Sequence, residues 1–294
     1  MNLWENRHFG PMLLKQVEKP FNDKNYIYEM KFDGYRALIF ASKNHLQILS
    51  RNHKDITYLY PELQSIQKLV KQNVIFDGEI ICEDNGLPSY QMLQKRSHKK
   101  NKTQIKQEMI EHPVEYIAFD ILYEGKDLTN LSLLKRKKIL HKYQNTDVFI
   151  KAKYIEEYGK ELFKEIQKRK IEGIVAKKKN GFYHINSRTD DFIKTKNLIT
   201  ETFCIGGYIE NQSNTISLLL GEYIQNELHF VGKVLVSEKQ EISKKLKETK
   251  PSKNGFIDYQ EDAIYLTVKY KAKINYLERT KSGHLRHPVY VDYE

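Results

Sequence analysis

Short apolar runs broken by turn residues dominate the first part of the chain. The runs at 26–30, 37–40, 46–49 and 74–76 are rich in β-branched or aromatic side chains and separated by Asp-Gly, Lys-Asn-His and Asn-His-Lys breaks. Such runs predict antiparallel strands. Apolar residues at helical spacing predict helices over 61–70, where Leu63, Ile66, Leu69 and Val70 share a face, and over 131–143 and 159–170. Further strands are predicted at 116–122 and 173–177. After Leu198 the texture changes, with strand-like segments at 204–210, 215–223, 227–235 and 263–272 and one helical patch at 238–248. Several strands with a single small helix predict a small closed β-barrel. The pattern therefore predicts an α+β chain of two domains, residues 1–197 and 198–294.

An apolar fraction of 40% and an aromatic fraction of 12% over 294 residues describe a folded chain and exclude a disordered one. No run has the length of a membrane span, and Met1-Asn2-Leu3-Trp4 does not read as a secretion signal. With only Cys82 and Cys204, neither a disulfide framework nor a four-cysteine zinc site is available. A cytoplasmic protein with no membrane partner is expected. The net charge of +11 points to a polyanionic partner. Its distribution is uneven: residues 198–294 carry 13 basic and 13 acidic side chains, and the first 197 residues carry 36 and 25. The densest basic stretch, Lys95, Arg96, Lys99, Lys100, Lys102 and Lys106, reads either as a loop touching a phosphate backbone or as a solvated lysine face.

Candidate chemistry begins at Lys31-Phe32-Asp33-Gly34-Tyr35-Arg36, directly after a predicted strand. Asp-Gly permits a tight turn, so Lys31 stands at a strand end with Arg36 returning nearby. An amine beside a guanidinium-held phosphate is an arrangement suited to nucleophilic attack at phosphorus. A surface hairpin with ordinary charges is the plainer reading of these six residues.

The string resembles the adenylylation motif of the covalent nucleotidyltransferases, which include ATP-dependent DNA ligases, RNA ligases and mRNA capping enzymes. Further segments resemble the remaining family motifs in order: Ser50-Arg51, Phe76-Asp77-Gly78-Glu79-Ile80, Tyr116-Ile117-Ala118-Phe119-Asp120-Ile121-Leu122, Glu172-Gly173-Ile174-Val175-Ala176-Lys177 and Phe192-Ile193-Lys194-Thr195-Lys196. The resemblance implies a nucleotidyltransferase domain with ATP-grasp-like antiparallel sheets and helices, followed by an OB-fold barrel. It implies that Lys31 is the nucleophile that forms lysyl-AMP and that Glu29 holds the adenine amino group. By the same resemblance Arg36 and Arg51 bind the ribose and phosphate region or a nick phosphate, and Phe119 stacks on adenine. Lys194 and Lys196 neutralise the α-phosphate with help from Arg188. Glu79 and Glu172 serve ribose or a divalent ion, Mg²⁺ or Mn²⁺. ATP is the implied AMP donor.

The tail Tyr276-Leu277-Glu278-Arg279-Thr280 with Gly283-His284-Leu285-Arg286-His287-Pro288 resembles the end of bacterial ATP-dependent DNA ligases, in particular end-joining ligase domains and their small relatives. It implies that nicked double-stranded DNA is the partner of a monomeric enzyme. Alternative readings are an RNA ligase or capping guanylyltransferase, and an inactive nucleic-acid-binding module. Two departures stand out. Phe192 occupies a position where tryptophan is common, and the tail runs to Glu294 without the arginine motif that helps pyrophosphate leave. Either Arg279, Lys281 or Arg286 takes that role, or self-adenylylation is slow.

Overall fold

The structure is a computed structural model that describes residues 2–84, 86–252 and 255–294. It divides into two compact units, Met1–Asn197 and Leu198–Glu294.

Two sheets build the first unit. One runs in the order Leu13–Val17, Arg188–Lys196, Gly173–Lys178, Asp23–Lys31, Tyr154–Glu157. The other runs Leu46–Ser50, Tyr35–Ala41, Val74–Asp84, Val114–Glu124, Phe149–Lys151, with Leu87–Pro88 paired to the middle strand. Most neighbours are antiparallel, as the alternating runs predict. Leu13–Val17 lies parallel to Arg188–Lys196, however, and Phe149–Lys151 parallel to Val114–Glu124, so both sheets are mixed.

Strand alternation decides what each face of the first sheet carries. Tyr28, Ile174, Ala176 and Ile193 face Phe163 and Ile166 of the helix Gly159–Lys168 in one apolar cluster. The intervening positions on the same strands hold the charged residues treated below. A second cluster draws on both sheets, with Ile27 and Phe192 from one and Leu38, Phe40 and Ile75 from the other. The largest cluster packs the second sheet against the 3₁₀ segment Pro61–Leu69 and the helices Tyr90–Ser97 and Lys102–Glu111. The basic stretch, read either as a loop touching a phosphate backbone or as a solvated lysine face, lies on these two helices and the turn between them. Ser89 caps the first helix by accepting from Met92 N (3.4 Å), and Asn101 caps the second by accepting from Thr103 N (2.8 Å).

The second unit is one sheet in the order Glu227–Ser237, Thr215–Ile224, Ile199–Asn211, Lys271–Tyr276, Val289–Tyr293, with Ile264–Tyr265 paired to Ile199–Asn211. The expected closed barrel does not form: among the described residues, Glu227–Ser237 and Val289–Tyr293 share no strand ladder. The helix Glu241–Lys247 buries Ile242 and Leu246 in the cluster that Tyr290 and Tyr293 pack against. Its Lys245 Nζ donates to Tyr293 Oη at 2.7 Å. The predicted strand over 263–272 is instead two pieces, and the tail forms a ribbon of Glu278–Arg279 with Leu285–Arg286 before the last strand.

Candidate active site

Lys31 ends its strand, and its Cα lies opposite Gly173, which in turn lies opposite Lys196. Two positions along, Glu29 lies opposite Val175, and Val175 opposite Lys194. Residues two apart share a face, so one face carries Glu29, Lys31, Lys177, Lys194 and Lys196 in three adjacent strands. Gly173 permits this packing: its φ is +154°, and a Cβ there would lie 2.2 Å from the Thr195 carbonyl oxygen. Gly34, in the turn after Lys31, passes equally close to the other sheet, where a Cβ would lie 2.1 Å from the Ile80 carbonyl oxygen.

The second sheet supplies the opposite wall. Arg36 lies across from Glu79 in the ladder, and the Arg51 N–H donates to the Arg36 carbonyl at 3.2 Å. Asp77 pairs with Asp120 while Gly78 pairs with Ala118, which leaves Phe119 as the extra residue of a β-bulge. Bulges re-aim side chains and end regular pairing beside binding sites. Here the bulge carries Phe119 into a cavity also lined by Glu29, Lys31, Arg36, Arg51 and Glu79. Phe32, Lys177, Arg188, Phe192 and Lys194 complete its polar and aromatic lining. Eight of the sequence-predicted residues thus meet in one cavity. Glu172 does not line it but touches the nucleophile candidate, with Oε2 2.6 Å from Lys31 Nζ. Lys196 does not line it either, although its charge, after burial, helps push the Lys194 pKa down.

Charge is organised in buried pairs behind these walls. Arg36 grips Asp77 with two hydrogen bonds, Nε to Oδ1 at 3.0 Å and Nη2 to Oδ2 at 2.7 Å, and the Tyr183 hydroxyl donates to Oδ2 at 2.7 Å. Burial alone presses the Arg36 pKa down; Asp77, then Tyr183 and Glu79, outweigh it and hold the guanidinium firmly charged. Asp120, fully buried, is matched by Arg136 through bonds of 2.8 and 2.9 Å. Burial pushes Asp120 up, and Arg136 with Lys177 and Lys137 reverses the sign, leaving it below the usual carboxylate range. Glu79 goes the other way. Burial, aided by repulsion from Glu172 and Asp77 and resisted by Lys31 and Arg36, pushes it up to about 7. Lys194 is pushed down by burial and then by Lys196 and Lys31. A cavity with crowded cations favours a bound anion, because the anion relieves their mutual repulsion.

Three participants escaped the sequence reading. Asp77 stood inside a quoted motif with no role, and Lys177 closed another. Lys137 lies outside every motif, yet its Nζ forms an ion pair with Glu29 Oε1 while Lys177 holds Oε2 at 2.7 Å. The available signal was the apolar stripe of the helix Leu133–Leu140, in which Leu133, Arg136, Lys137 and Leu140 are all buried. Two cations on a core-facing stripe imply buried anions to meet them. Of the arginines considered for helping pyrophosphate leave, Arg279 is engaged by Glu222 at 2.8 and 3.0 Å and Glu201 at 3.2 Å, and Arg286 by Glu278 at 3.0 Å.

The family model described as "ATP dependent DNA ligase domain" matches residues 11–196, and that described as "ATP dependent DNA ligase C terminal region" matches residues 211–293. The chain belongs to the ATP-dependent DNA ligases. This ligase is 29% identical over 298 residues to the multifunctional non-homologous end joining protein LigD of Mycolicibacterium smegmatis, an alignment covering 95% of the chain and 37% of that protein. It is 28% identical over 285 residues to the SPbeta prophage-derived DNA ligase-like protein LigB of Bacillus subtilis, covering 96% of the chain and 97% of that protein. Among solved structures, mycobacterial DNA ligase D complexed with ATP and MES superposes with a TM-score of 0.61 at 25% identity, over 98% of the ligase chain and 96% of that structure. A Lig E DNA ligase shares the fold with a TM-score of 0.66 at 17% identity, over 97% of the ligase chain and 99% of that structure. The ligase therefore has a nucleotidyltransferase domain followed by an OB-fold domain, and among its described residues no helix is long and apolar enough to cross a membrane.

Proposed function

We propose that the ligase seals nicks in duplex DNA, as a monomer, through a lysyl-AMP intermediate on Lys31. What supports this reading is the convergence of Lys31, Glu79, Arg36, Phe119 and Lys194 on one cavity, with Glu172 in contact with Lys31 Nζ. Lys31 Nζ gives up a proton, with the Glu172 carboxylate 2.6 Å away as acceptor. Its lone pair attacks the α-phosphorus of ATP. A P–N bond forms, the P–O bond to pyrophosphate breaks, and pyrophosphate carries away the electron pair. An oxygen of the 5′-phosphate at the nick then attacks the same phosphorus and releases the Lys31 amine. Finally the 3′-hydroxyl attacks the nick phosphate and expels AMP.

Nucleotidyl transfer of this kind depends on positioning and on cations around the phosphate oxygens. Lys194, Lys196 and Arg188 supply charge at the α-phosphate, Phe119 stacks on adenine, and Glu29 accepts from its amino group. Arg36, held rigid by Asp77, and Arg51 take the ribose and nick-phosphate side. Among the described residues no group of three or more His, Cys, Asp or Glu forms a metal cage. Two close carboxylates, one with its pKa pushed up in part by the other, nonetheless suit a magnesium ion that takes its remaining ligands from phosphate and water. Glu79 and Glu172 would hold Mg²⁺ or Mn²⁺, which neutralises charge on the phosphate oxygens when bound. On the DNA side, Lys95, Lys102 and Lys106 of the two helices and Lys100 between them are exposed and make no ion pair among the described residues. They contact backbone phosphates, so binding is salt-dependent and indifferent to sequence.

Intact-protein mass spectrometry with ATP and magnesium tests the core of this reading. One AMP adds to the wild type and none to Lys31→Ala; an unmodified wild type overturns it. Label from α-labelled ATP rather than GTP, and sealing of nicked duplex DNA in preference to RNA, complete the assignment.

A further inference from the structure

The cavity wall at the nucleobase end rests on three buried charges. Glu29 is 2% exposed, Lys137 2% and Lys177 3%. Lysine is almost never buried this deeply without a partner, because the ammonium loses its hydration. For Lys137 and Lys177 that partner is the same carboxylate, one on each oxygen. Beyond these ion contacts, neither ammonium finds a hydrogen-bond acceptor among the described residues. Glu29 and Lys177 line the cavity, whereas Lys137 lies outside its lining. Lys137 Nζ also sits 5.6 Å from the ring centroid of Tyr154, whose Cα lies opposite Glu29 in the neighbouring strand. On the cavity side, Lys177 Nζ lies 4.2 Å from the Phe119 ring centroid.

A planar carboxylate held at both oxygens is fixed in position and in rotation, which a single ion pair does not achieve. Each oxygen retains a lone pair for a further donor. We infer that Lys137 is a positioning residue that acts through Glu29: together with Lys177 it sets the carboxylate, before nucleotide arrives, to accept from the 6-amino group of adenine. The inference rests on the reading above that Glu29 meets this amino group. Its consequence is selectivity. A preset acceptor rewards a purine bearing an amine at position 6 and rejects one bearing a carbonyl oxygen there or no substituent. Without Lys137 the carboxylate is free to turn toward Lys177, and the acceptor loses its aim.

The test compares self-adenylylation of the full chain by ATP with that by purine riboside triphosphate, which lacks only the 6-amino group. Wild type favours ATP by about ten- to a hundredfold in kcat/KM, the worth of one hydrogen bond to a charged acceptor. In Lys137→Met this ratio falls below about threefold, mainly through a higher KM for ATP, and Lys137→Arg restores most of it. Should the methionine variant melt too low to assay, Lys137→Leu, which likewise removes donor and charge, is measured in its place and is expected to show the same fall below about threefold. A purely structural lysine slows both nucleotides alike and leaves the ratio at its wild-type value, which overturns the inference but not the Glu29 reading. A wild type that does not distinguish the two nucleotides overturns both.

Discussion

Replacing Asp77 with asparagine keeps the shape of the side chain and removes the charge that Arg36 requires. Asp77 is fully buried, and it accepts two bonds from Arg36 and one from Tyr183. Breaking a buried ion pair by neutralising one partner costs about 3–5 kcal/mol. The Arg36 side chain keeps 14% exposure, and the asparagine carbonyl still accepts one bond, so the lower end, about 3 kcal/mol, is expected here. Against a total stability of about 5–15 kcal/mol, this loss lowers the urea midpoint by roughly 1–2 M. Trp4, the chain's only tryptophan, packs on Phe40 and Tyr123 in the first unit, so its fluorescence follows the relevant transition. Arg36→Met combined with Asp77→Asn should recover at least about 2 kcal/mol relative to the sum of the single losses, because the double variant leaves no stranded charge. Two results refute this account: a cost for Asp77→Asn below about 1 kcal/mol, or single losses that simply add. Self-adenylylation by the folded Asp77→Asn protein also slows, as Arg36 is no longer held.

Gly34→Ala forces a Cβ to within 2.1 Å of the Ile80 carbonyl oxygen, and the turn beside Lys31 must open; a loss of at least about 2 kcal/mol in urea unfolding is expected, and a neutral substitution refutes the close packing. Glu79 is pushed up to about 7 in the folded chain, from an unfolded value of 4.5. Between those values the folded state holds a proton that the unfolded state has lost, so stability contributed by this group is full below about 4.5 and declines as pH rises toward 7. In metal-free buffer that decline amounts to about 3 kcal/mol at most, and Glu79→Gln abolishes it; equal slopes for the two proteins refute the assignment. Reversing Lys95, Lys100, Lys102 and Lys106 to glutamate leaves AMP capture unchanged but weakens nicked-duplex binding. The slope of log K against log salt becomes shallower by about 0.9 for each lysine that contacts a phosphate, and an unaltered slope leaves the helix pair as a merely solvated face.

Much of the site was legible because its chemistry sits at strand ends and strand period is rigid. Once 26–30 is read as a strand, the two-residue repeat already groups Glu29 with Lys31 at its end, whereas 192–196 was legible only as a motif and its strand, Arg188–Lys196, came from the structure. The helix pair at 90–111 was not legible in the same way. Its two helices bury only Leu93, Arg96, Ile105 and Glu108, half of them charged, so no apolar stripe announces them and only the Ser89 and Asn101 caps remain as signals. The closed barrel was over-read for a related reason. Alternation predicts strands and their inner faces, but closure depends on two edge strands pairing in register, and among the described residues Glu227–Ser237 and Val289–Tyr293 share no ladder.

Local pattern thus determined many of the strands, the order of the motifs and the residue types able to activate an amine and neutralise phosphate, since each depends on neighbours a few positions away. Tertiary structure alone decided which buried charges answer one another: Arg36 with Asp77, Arg136 with Asp120, and Lys137 with Glu29 across more than a hundred positions. A charge in a low-dielectric interior is tolerable only beside its opposite, and chain spacing does not encode that meeting.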